Sequence, residues 1–214
     1  MNRISKCAAT ALAAVTLSTG LTGCFPLLLG SAVVGGTAVY TDRRTSGIQL
    51  EDEAIELKAS NRVRTTLGER ARVSVVSYNR LVLLTGEVSG EADRAVVARV
   101  VAEVDNVRSI VNEVTVVSAQ PTNTQAADAI VTGKVKASLV DSKDIFAQSV
   151  KVVTERGTVY LMGRVTEREA QRATDIARSI GGVDKVVRVF EVITEAELAN
   201  LQPPPSPPTP RPER

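Results

Sequence analysis

The chain has 214 residues, with 26 basic and 24 acidic side chains, two cysteines, and neither histidine nor tryptophan. Without histidine there is no usual base for a serine or cysteine nucleophile, and too few ligands for a zinc centre; a near-neutral balance also speaks against nucleic acid, which needs a clustered basic face. Aromatic residues make up 3%, so any core must be built from Val, Leu, Ile and Ala.

Arg3 and Lys6 open the chain, and Cys7 to Leu21 then run without a charge. A basic start, an apolar middle and small residues before the end describe a secretory signal peptide over 1–23. Gly20, Gly23 and Pro26 would repeatedly break a membrane-spanning helix laid through this region. Leu21-Thr22-Gly23-Cys24 resembles the lipobox of bacterial lipoproteins at every position. The resemblance implies diacylglycerol on the sulfur of Cys24, cleavage before it, and an N-acyl chain on the new terminus. These covalent lipids are the only prosthetic groups expected, with no cofactor and no metal. The competing reading is an ordinary cleaved signal followed by a stray cysteine. Phe25 stands where an aspartate would resemble an inner-membrane retention signal, which favours the outer membrane of a Gram-negative cell. Loss of Arg3 and Lys6 leaves 24 basic against 24 acidic residues. With Cys7 removed and Cys24 acylated, no intramolecular disulfide can form, although the compartment would permit one.

Residues 24–50 form a lipidated tether. Its first part, Phe25 to Tyr40, is apolar and contains glycine; Thr41 to Gly47 is polar. Arg43 and Arg44 have two readings: contact with lipid phosphates, worth about 1 kcal/mol each near an anionic surface, or docking onto the folded domains.

The remainder repeats itself. Gly86 matches Gly163, Val88 matches Val165, Val107 matches Val183, and Val63 and Leu67 lie over Val135 and Leu139. Each unit reads as a helix (51–67; 125–140) and two alternating runs joined by a tight turn (Asn79-Arg80; Glu155-Arg156-Gly157). A second helix (91–103; 167–180), a stop at Asp105-Asn106 or Gly181-Gly182, and a last β-rich run follow. The fold class is α+β: two tandem αββαβ domains at 51–118 and 126–194, each a three-stranded mixed sheet with two helices on one face. Residues 119–125 connect them. Thr194-Glu195-Ala196-Glu197 has the form of a capping box and starts a short helix, after which a proline-rich tail runs to 214 as polyproline II or disorder.

The order αββαβ, with "GTVYLMGRV", "EREAQRATDIA" and "GVDKVVRVFEV" in the second unit, resembles the BON domain, and two such units behind a lipobox resemble the dual-BON outer-membrane lipoproteins. The first unit departs from the pattern at Asn79-Arg80, which replaces the turn glycine, and at Asn106, which replaces the glycine before Val107. The resemblance implies a periplasmic, phospholipid-binding protein that supports envelope integrity and has no enzymatic activity.

Surface recognition remains to be placed. In "QAADAIVTGKVKASLV", Ala127, Val131, Val135 and Leu139 form a core stripe. Ile130 falls at the edge of that stripe, with Lys134 one turn later; Gly133, Lys136, Ala137 and Val140 lie toward the far side, with Phe146 beside Lys143 in the loop that follows. An apolar face with lysines suits anionic headgroups, and these seven residues are the phospholipid-binding candidates. The same composition also suits an ordinary solvent face. Glu51-Asp52-Glu53 suit the first turn of a helix, where acids meet its dipole, and Gly86 and Gly163 suit close packing or a bulge. The expected partners are the membrane and anionic phospholipids, with no nucleic acid and no small-molecule substrate. The rival is an interaction module that docks on outer-membrane assembly or division proteins, the lipid serving only as a tether.

Overall fold

The computed structural model describes residues 42–117 and 124–201; Cys24, residues 119–123 of the connector and the proline-rich tail lie outside these residues. In the first unit α1 (Ser46–Leu67) leads into β1 (Ala71–Tyr78), β2 (Leu81–Val88), α2 (Glu91–Ala102), β3 (Ser109–Asn112) and β4 (Thr115–Val116). In the second, α3 (Gln125–Asp141) precedes β5 (Lys151–Glu155), β6 (Thr158–Val165), α4 (Glu167–Arg178) and β7 (Lys185–Val192), and α5 (Glu195–Leu201) closes it. Among the described residues, no helix is long and apolar enough to cross a membrane.

Both sheets are mixed, as expected. β1 and β2 form an antiparallel hairpin, and β3 and β4 run parallel to β2 on its other side. β5, β6 and β7 repeat the arrangement. The first sheet counts four strands only because its third row is interrupted. Between β3 and β4 the Val114 amide donates to Asn112 Oδ1 at 3.2 Å, while the Glu113 amide still donates to the Leu84 carbonyl at 2.9 Å, so the row keeps its register across the break.

The hairpin turns show what replaces glycine. Asn79 and Arg80 have φ of 52° and 65°, and Arg156 and Gly157 have 51° and 73°, so both turns carry two left-handed residues, the geometry that suits strand twist. The strain at Asn79 and Arg80 is offset by Asp52, which accepts from both amides at 2.8 and 2.7 Å. Asp128 does the same for Arg156 and Gly157, at 2.9 Å each. Gly86 and Gly163 are close-approach positions. A Cβ on either would stand 2.1 Å from the carbonyl oxygen of Arg72 or Ser149.

Each domain builds a core between its helices and one sheet face. Ile55, Ala59 and Val63 of α1 meet Val75, Val82, Leu84 and Val97; Val131, Val135 and Leu139 of α3 meet Val152, Val159, Leu161 and Ala173. The opposite faces of the two sheets cover one another. Tyr78 and Leu83 pack with Tyr160, Met162 and Val189, and Val76, Val111, Val153 and Val187 surround them. The order is therefore helices, sheet, sheet, helices. This explains why the central strands read as nearly unbroken apolar runs rather than a clean alternation, since a strand buried on both faces needs apolar residues on both.

Three sequence expectations are corrected. The first helix begins at Ser46, not near residue 51, with Thr45 Oγ1 accepting from the Ile48 amide at 3.3 Å. Glu51 to Glu53 therefore fall beyond its first turn, and Asp52 points inward. Ala127 is exposed and Asp128 is buried, because the buried stripe passes through the residue three before Val131 so that its carboxylate can hold the turn. The register of the repeat also shifts. Matching the two turn-holding aspartates places Ile55 over Val131 and Val63 over Leu139, one helical turn from the match of Val63 with Val135.

Candidate functional site

The second domain presents the longer apolar surface. Helix α3 places Val131, Val135 and Leu139 inward; at 100° per residue, Ile130, Gly133, Ala137 and Val140 point the other way. Ile130 is 60% exposed and Val140 70%. Lys134 and Lys136 are exposed on the two sides of this strip, and neither joins an ion pair among the described residues. Gly133 costs helix stability, about 1 kcal/mol against alanine, yet a Cβ there would touch nothing within 4 Å. Packing among the described residues gives it no reason. Phe146, in the loop after α3, is 58% exposed. The structure thus brings all seven candidates to the solvent side of α3 and the adjoining loop. α1 differs: Leu50 and Leu57 are exposed, but Glu53, Lys58, Asn61 and Arg64 share that surface.

Arg43 and Arg44 are docked on the folded domains. Arg43 donates to both carboxylate oxygens of Glu169, at 2.7 Å each, and to the Arg164 carbonyl at 2.7 Å. Its side chain is 10% exposed, and that of Glu169 is 3%. Arg44 reaches into the first domain, where it meets Asp52 at 2.8 Å and Asp42 at 2.7 Å and lies 4.2 Å over the Tyr78 ring, a cation–π contact. Of the two readings of these arginines, the geometry matches docking onto the folded domains: both guanidiniums are largely enclosed and engaged by carboxylates. They form a strap across the seam between the domains. Arg168, one residue before Glu169, donates to the Asp144 carbonyl at 3.1 Å, so the strap joins the fold close to the loop that carries Phe146.

Four carboxylates hold this framework, and all titrate below their ordinary range. Burial alone would raise Asp52, but bonds from the Ser77 hydroxyl, the Arg80 amide, Arg44 and the Asn79 amide outweigh it. Burial is likewise overcome at Asp128 by Gly157, Thr124 and Arg156, and at Glu169 by Arg43 and the Thr166 amide. Glu191 joins the domains, accepting from Asn79 at 2.6 Å and Arg108 at 2.9 Å, and is lowered by them against the cost of burial. Lys151 with Glu56 at 2.9 Å and Arg156 with Glu87 at 2.7 Å add two more links across the seam.

Sequence reasoning missed Asp52 and Asp128, yet a signal was there. Both units carry an aspartate three residues ahead of the buried stripe: Asp52 before Ile55, Asp128 before Val131. An acid on a core stripe must find donors, and the nearest are the turn amides. The role of Glu169 was half legible. It closes the capping box with Thr166, but its partner Arg43 stands 126 residues away.

Two αββαβ units in tandem, each with a mixed sheet, have the architecture of the BON class. Residues 52–118 and 127–194 match the BON domain, and the chain belongs to that family. It is similar to the outer membrane lipoprotein DolP of Haemophilus influenzae, with 36% identity over 81% of this chain and 90% of that one. It is also similar to the 21 kDa hemolysin of Actinobacillus pleuropneumoniae, at 30% over 71% and 79%. The osmotically-inducible protein Y of Escherichia coli is similar at 28% over 71% and 77%.

Proposed function

We propose that the protein is an outer-membrane lipoprotein, anchored through Cys24 and facing the periplasm, that binds anionic phospholipid through its second BON domain in support of envelope integrity. The observation that carries the reading is the solvent face of α3. It offers Ile130, Gly133, Ala137 and Val140 between two exposed lysines that form no ion pair among the described residues, with Phe146 alongside. Apolar side chains enter the acyl boundary while ammonium groups stay among phosphates. The lipobox-like Leu21 to Cys24 and the similarity to the outer membrane lipoprotein of Haemophilus influenzae support the anchor and its destination. Two or more acyl chains hold a protein stably, at about 0.8 kcal/mol per buried methylene. The α3 face then governs where in the bilayer the protein collects.

The test uses a non-acylated fragment 40–214, which contains the whole compact unit. It is expected to float with vesicles that contain phosphatidylglycerol and to lose this when Lys134→Glu and Lys136→Glu are combined. Flotation unchanged by the charge reversal, or absent from the start, would leave the α3 face without this role.

A further inference from the structure

We infer that the cleft between α3 and the turn Ala147–Ser149 is an acyl-chain subsite: one chain end of an anionic phospholipid lies between Val140 and Ala147 while its phosphate meets Lys136. This inference rests on the phospholipid reading above and gives it a defined pocket. The cleft holds about 230 Å³ and is lined by Lys136, Leu139, Val140, Ala147, Gln148 and Val150. Buried Leu139 and Val150 make its floor. Complete small-molecule sites hold about 300–1,000 Å³, so this one suits part of a ligand. Its lining is aliphatic except for Gln148 and the lysine.

Charge is arranged to match. Lys136 and Asp141 lie about 140° apart around α3, which leaves the cation on the cleft side and the carboxylate away from it. The other nearby acid, Asp144, is engaged by Arg172 at 3.2 Å. Val140 belongs both to the cleft and to the exposed strip, so a lipid drawn to the strip meets the cleft without leaving it. The larger grooves do not share this character. The one along β1, of about 790 Å³, carries Arg64, Arg72, Glu87 and Glu155, and the one between α3 and α4 carries Asp141, Lys143, Arg172 and Asp175.

Fragment 40–214 is titrated with dibutanoyl and dihexanoyl phosphatidylglycerol below their micelle-forming concentrations, and the methyl resonances of Leu139, Val140, Ala147 and Val150 are followed by NMR. All four are expected to shift, with affinity rising about fourfold for each methylene that enters the cleft. Ala147→Leu fills the space and is expected to erase the chain-length gain while flotation with phosphatidylglycerol vesicles persists. Val140→Ser, at an exposed position that tolerates change, is expected to reduce the same gain. Flotation without methyl shifts, or a chain-length gain untouched by both variants, overturns the subsite and leaves the phospholipid reading standing. Neither flotation nor shifts in the unsubstituted fragment overturns both.

Discussion

Removing the carboxylate of Asp52 tests how the first domain tolerates a turn without glycine. Asp52 is 2% exposed and accepts from Ser77 Oγ at 2.7 Å, the Asn79 and Arg80 amides, and Arg44 Nη1. Asp52→Ala leaves a buried hydroxyl and two half-buried amides without an acceptor, at about 1 kcal/mol each. Arg44 keeps Asp42, so the broken ion pair adds less than the full 3–5 kcal/mol of a severed buried pair. The expected loss is about 3–5 kcal/mol. Asp128→Ala removes only the Thr124, Arg156 and Gly157 bonds and is expected to cost about 2–3 kcal/mol. Urea unfolding of fragment 40–214, followed by circular dichroism, reads both. With a slope of about 2 kcal/mol per molar, the midpoints should fall by about 2 M and about 1 M. Asp52→Asn, which keeps one acceptor oxygen, should fall between wild type and Asp52→Ala. A shift below about 0.5 M for Asp52→Ala would show that the turn stands without this carboxylate and would refute the reasoning.

Arg43→Ala leaves Glu169 buried with only its capping bonds and is expected to cost about 3 kcal/mol by the same denaturation, whereas Lys134→Ala should stay within about 0.5 kcal/mol. Gly86→Ala and Gly163→Ala drive a Cβ into a backbone carbonyl at positive φ and are expected to lower the melting temperature sharply; Gly133→Ala meets nothing and should raise stability by about 0.5–1 kcal/mol. Asp52, Asp128, Glu169 and Glu191 all bind protons less readily folded than unfolded. Their stabilisation is therefore full above the ordinary carboxylate range and lost as pH falls through the folded values, so the melting temperature should drop below about pH 4. Glu155, raised by burial and by Asp128 and Glu87, opposes this weakly. Burial, with Asp42 at Tyr78 and Glu113 at Tyr160, pushes both phenols up to about 12. The unfolded chain loses those protons first, so stability should fall again between about pH 10 and 12, and a flat thermal profile across either window would contradict the assignments.

The order of elements was legible from residue spacing, and so were the doubling of the unit and the solvent face of α3. Hydrophobic period and turn chemistry are local, and each unit repeats them. The capping box at Thr194 was read for the same reason, since both partners lie within three residues; the one at Thr166 has the same local form but was not read. Several features emerged only in three dimensions: the second cover of each sheet, the arginine strap, and the inward turn of Asp52 and Asp128. A strand with apolar residues on both faces announces that something covers it but not what, and here the cover is the other copy of the same sheet. Arg43 and Glu169 find each other across 126 residues; a pairing of that separation leaves no periodic trace, because it depends on how two finished domains meet.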